Sequence, residues 1–105
     1  MLFQVIHQHS SEQCPANHEG RTEEMNNALN EAHKSGTVKI HSWLHNSPSH
    51  RIFLVIEAHK YEDVQIMFDR LRLWGNWEII PVLDANATRS IRHEGAVLKG
   101  LEFDK

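Results

Sequence analysis

Cysteine is almost missing from this chain, with one residue, Cys14, among 105. That excludes an internal disulfide framework and suits a reducing compartment. Long apolar runs are missing too, and no stretch reaches the roughly 20 residues that a membrane-crossing helix needs. The opening MLFQVIHQH reads straight into a strand, without the charged region, apolar segment and cleavage site of a secretory leader. A cytoplasmic protein with no membrane partner is therefore expected. Concentrated positive charge is also lacking: 11 Lys and Arg face 14 Asp and Glu, for a formal charge of −3. A nucleic-acid surface calls for a basic stripe, so no nucleic-acid partner is expected. Repeats, low-complexity tracts, Cys-x-x-Cys pairs and a His-Glu-x-x-His helix are absent as well.

What the chain has in excess is histidine, nine residues scattered along its length. Its net charge therefore climbs steeply as pH falls through about 6.5, the ordinary imidazole value. With 40% apolar and 24% charged residues the composition is that of one soluble domain. A domain this small buries a modest share of its surface, so support from a second subunit is expected.

Hydrophobic periodicity sets the order of elements. LFQVIHQH (2–9) reads as a strand, and SSEQCPAN (10–17) as a turn in which Pro15 disfavours helix at Cys14. A helix is predicted from about His18 to Ser35, with Asn17 as its cap, Met25, Ala28, Leu29 and Ala32 on one stripe, and Gly36 as its stop. TVKIHSWLH (37–45) and RIFLVIEA (51–58) form a hairpin across NSPSH. A second helix is predicted over Tyr61–Trp74, ended by Gly75. WEIIPVL (77–83) makes a fourth strand, which Pro81 pushes toward an edge or a bulge. Residues 1–84 thus form one domain, and 85–105 a tail that ends in a short strand or lies as an arm on a partner.

The order β-α-β-β-α-β, with right-handed crossovers, gives an α+β, ferredoxin-like fold. Its antiparallel sheet runs 4-1-3-2, with both helices on one face. The other face is left bare, with Phe53, Val55 or Trp43 expected on it. Covering it with a second copy of the same sheet is the simplest solution.

On this order the chain resembles the dimeric α+β-barrel superfamily, in which two such sheets pack face to face. MLFQVIHQH is similar to the first strand of muconolactone-isomerase-like domains, and FLVIEAHKYEDVQIMF with WEIIPVLD resembles a group of small bacterial domains of that type. The resemblance spans 1–84 and implies a homodimer. The superfamily includes cofactor-free monooxygenases, isomerases, haem-degrading enzymes, and metal- or ligand-binding proteins, so function stays open. The chain departs from the haem degraders and monooxygenases in lacking their Asn-Trp-His constellation.

The topology brings the end of strand one close to the end of strand two and the starts of strands three and four. His7, His9, Cys14, His18, His45, His50, Trp77 and Glu78 belong to that edge. His7 and His9, at i and i+2, point to one side of a strand. Imidazole and thiolate suit Zn, Ni, Cu or Fe, so His7, His9, Cys14 and His45 are the candidate metal ligands. The same histidines can equally serve as structural hydrogen-bonding groups. At the opposite edge, Glu57 interrupts an apolar strand, where a carboxylate needs a partner. Facing an inter-sheet cavity beside His41 or His59, it would have a raised pKa and act as a base. The two functional readings are a homodimer that holds a transition metal or small ligand, and, as alternative, a cofactor-independent monooxygenase- or isomerase-like enzyme using Glu57 and His59.

Overall fold

Strand β1 (Leu2–Gln8) leads through a short 3-10 turn (Pro15–Asn17) to helix α1 (Arg21–Ser35). A hairpin of β2 (Val38–Asn46) and β3 (Arg51–Ala58) follows, then α2 (Tyr61–Asp69), β4 (Asn76–Val82) and α3 (Ala85–Arg92). This computed structural model describes residues 1–69, 71 and 74–92, and the side chains of all of these but 89–92. The strands form one antiparallel sheet in the order β2-β3-β1-β4. The α+β fold and the 4-1-3-2 order are those expected from the sequence.

Alternation along the two central strands separates the faces. Phe3, Val5 and His7 of β1 and Ile52, Leu54, Ile56 and Ala58 of β3 are buried. They meet Met25, Ala28 and Leu29 of α1 and Val64, Met67 and Phe68 of α2, with Leu71 and Trp74 closing the core. Pro81 lies on β4, an edge strand, where its missing N–H costs no ladder bond.

Several boundaries differ from the expectation for local reasons. Helix α1 starts at Arg21, after Gly20 in the left-handed region (φ 81°), and Asn17 does not cap it. Asn17 instead donates from Nδ2 to the Ser11 carbonyl at 2.8 Å. Helix α2 is described over Tyr61–Asp69, and beyond it Leu71 donates its N–H to Phe68 O and Trp74 its N–H to Leu71 O. The expected tail begins as a helix. Asp84 Oδ1 accepts from the N–H groups of Asn86 and Ala87, an N-cap that starts α3. The expected final strand or arm in 93–105 lies outside the described residues.

One correction concerns a face. Pairing of β2 with β3 slips between Ile40 and Ser42, which leaves His41 as an extra residue in the strand. A one-residue slip turns every later side chain to the other side. Trp43, expected on the bare face, therefore shares the side of Leu54, its pairing partner, with His45 following two residues on. Leu44 takes the bare face instead, opposite Phe53, and is 63% exposed. The bare face also carries Ile6, Val55, Ile80 and Val82, each partly covered.

Candidate metal site

The site is built where β1 ends. Register places Gln8 between Arg51 and Asn76, so the end of β1 meets the starts of β3 and β4. His9, just past the strand, donates its backbone N–H to the His50 carbonyl at 3.2 Å. That bond fixes the loop after β1 against the β2–β3 hairpin. Cys14 lies at the head of the 3-10 turn with extended backbone (φ −54°, ψ 126°), the conformation forced on a residue before proline. His9, Cys14 and His50 each offer one ligand atom, and these atoms all lie within 4.8 Å of one another.

His7 and His9 are a buried pair: Nε2 of His7 and Nδ1 of His9 are 2.9 Å apart. The ring nitrogen of His9 left for a ligand is thus Nε2, which is buried without a hydrogen-bond partner. His7 is fully buried, and its ring lies tilted against Trp77 with centroids 3.9 Å apart, while Trp77 stacks on Phe68 at 4.4 Å. Burial, with the neighbouring His9, pushes His7 down to about 4. A weak interaction with the Asn76 backbone opposes this but falls short of a full hydrogen bond. Burial and the nearby His50 lower His9 too. Both imidazoles are therefore neutral at neutral pH, the state a metal requires.

Two backbone conformations hold this arrangement. Gly75 has φ 142°, and a Cβ there would meet Gln8 O at 2.5 Å, His7 Cε1 at 2.7 Å and His9 Cβ at 2.9 Å. His50 sits in the left-handed region at φ 54°, a conformation uncommon for a residue with a side chain. It closes the turn by donating its N–H to the Ser47 carbonyl.

The triad borders a cavity of about 550 Å³ between the start of α1, the end of β2 and the start of β3. Its other walls include Thr22, Met25, Asn26, Trp43, His45 and Ile52. Of the four residues read from sequence as ligands, the structure brings His9 and Cys14 together. His45 lines the same cavity outside the triad, and His7 lies behind His9 with its Nε2 engaged. His50, recognised only as a resident of that edge, is the third member. His18 is engaged within its loop, donating from Nε2 to the Glu12 carbonyl at 2.6 Å.

The opposite edge does not assemble as expected. Glu57 has its side chain 53% exposed and pairs with His41 Nε2 at 2.9 Å. That hydrogen bond lowers its pKa, contrary to the rise expected of a buried base. His59 is exposed in the turn before α2.

Residues 1–96 match the family described as a domain of unknown function, DUF3303. No curated protein matches the chain, and no solved structure does. Among the described residues no helix is long and apolar enough to cross a membrane.

Proposed function

The chain belongs to this family of unknown function, and from the geometry of the cavity we propose that it binds one transition-metal ion, zinc foremost, through His9, Cys14 and His50. The observation that carries the reading is the convergence of one thiol and two imidazoles around a buried, partnerless His9 Nε2. An imidazole nitrogen shut away from water without a partner costs free energy that a ligand recovers. Two nitrogens and one sulfur suit zinc, which accepts them in a tetrahedron and leaves a fourth position open. Ligand atoms around zinc stand roughly 3.5 Å apart, given bonds of about 2.0–2.3 Å. Closing the triad from its present spread thus takes side-chain rotation of about an ångström.

His7 then acts behind the ligand. A metal on Nε2 of His9 places that ring's proton on Nδ1, which donates to Nε2 of His7. The His7 proton is thereby fixed on its own Nδ1, toward the Asn76 backbone. Such outer hydrogen bonds orient a ligand and strengthen its basicity.

The second part of the proposal is a homodimer through the bare sheet face, consistent with the dimeric α+β-barrel resemblance. Ile6, Leu44, Phe53, Val55, Ile80 and Val82 give that face an apolar middle which a self-complementary contact would cover.

Cobalt(II) is the direct probe of the metal site. Wild-type protein is expected to take up one equivalent with a thiolate-to-cobalt charge-transfer band in the near ultraviolet, and Cys14→Ser to lose that band. Cobalt-saturated wild type without the band would overturn the triad.

A further inference from the structure

The cavity is far larger than one ion and a water require, and its remaining walls have a consistent character. We propose that it receives a small organic anion with a compact apolar body, such as an aromatic monocarboxylate, whose head completes the coordination of the metal. This inference rests on the metal reading above.

Three observations carry it. The first is charge. A divalent ion held by one thiolate and two neutral imidazoles keeps a net charge of about +1. Arg51 borders the cavity but holds its guanidinium over the Phe53 ring at 5.4 Å, on the bare face of the sheet, so the metal is the positive centre of the site. Among the described residues that line the cavity, none is Asp or Glu. An unopposed positive centre in a partly enclosed space favours an anion over a neutral donor.

The second is shape. At about 550 Å³ the space falls within the range of small-molecule sites. Met25 from α1, Ile52 from β3 and Trp43 from β2 supply an apolar wall. Trp43 reaches it only because the bulge at His41 reverses the side of the strand on which it stands. Trp43 is 47% exposed, which leaves area for a flat body to cover.

The third is a polar atom that nothing satisfies. Asn26 Oδ1, in the second turn of α1, is buried beside the cavity with no hydrogen-bond partner. It suits an O–H or N–H on the ligand body or a water carried with it. Together these define a binding site with a charged end at the metal, a flat apolar middle and one acceptor at the side.

The test uses the cobalt-loaded full-length protein titrated with phenylacetate, and with acetate as a head group lacking a body. Phenylacetate is expected to shift the visible cobalt bands and to bind at least tenfold more tightly than acetate. Trp43→Ala is expected to reduce that preference to under threefold while leaving acetate binding within twofold. Equal affinity for the two anions in the wild type would overturn the proposal, as would bands that neither anion moves. A protein that takes up no cobalt refutes the metal reading itself. Cobalt uptake without discrimination between the anions refutes only this inference.

Discussion

His7 and His9 owe their contact to a residue with no side chain. Gly75 runs so close beneath them that Ala would place its Cβ within 2.9 Å of three neighbours, one of them a backbone oxygen. Gly75→Ala is therefore expected to cost about 2–4 kcal/mol, the range of strained and overpacked positions, and to abolish metal uptake. Gly36, also at positive φ (77°) but with nothing near its missing Cβ, should cost only about 1–2 kcal/mol of backbone strain on the same substitution. Urea unfolding of the two variants compares them. His7 gives the metal-free protein a pH signature. Its native pKa is held near 4 against 6.5 for the free side chain. The unfolded chain thus takes up the proton first, so this stability is complete above pH 6.5 and is lost as pH falls toward 4. The loss amounts to roughly 3 kcal/mol. Urea midpoints should drop across that window in metal-free wild type and drop less in His7→Gln. The sequence made His9 and Cys14 legible because a His-x-His strand end and a nearby thiol are local features. His50 was not, since membership depends on a turn whose last residue takes a left-handed backbone.

At the scale of elements, the hairpin of β2 and β3 shows where pattern reading stops. Alternation over Val38–Asn46 places Trp43 and His45 on the bare face. The extra residue at His41 reverses them, and side-chain types alone do not mark a bulge. The helices were legible from their apolar stripes, apart from α3, whose one signal was Asp84 ahead of Ala85 as a cap. The turn that ends the hairpin carries strain at His50 that stability alone would not keep. His50→Asn, which tolerates a left-handed backbone better, is expected to leave thermal stability unchanged or raise it by up to about 1 kcal/mol. The same variant should lose metal affinity by at least tenfold. A variant that is both less stable and fully metal-competent would contradict this trade.

At the scale of the molecule, the sheet has one face covered by helices and one face that carries Ile6, Leu44, Phe53, Val55, Ile80 and Val82. A homodimer in sedimentation equilibrium at micromolar concentration is expected, with Leu44→Asp shifting it to monomer, because Leu44 stands 63% exposed beside Phe53 on that face. The fold order was readable because two crossovers and a hairpin allow few arrangements. The proposed metal site joins three separate segments, the loop after β1, the turn before α1 and the hairpin tip, and so its residues meet only once the chain is folded. Zinc stoichiometry after equilibrium dialysis of metal-free protein tests this account most directly. One ion per chain is predicted for wild type and for His45→Ala, and under a tenth of an ion for His9→Ala, Cys14→Ser and His50→Ala at limiting zinc. Wild-type protein that leaves dialysis without zinc, or full occupancy retained by all three triad variants, would contradict it.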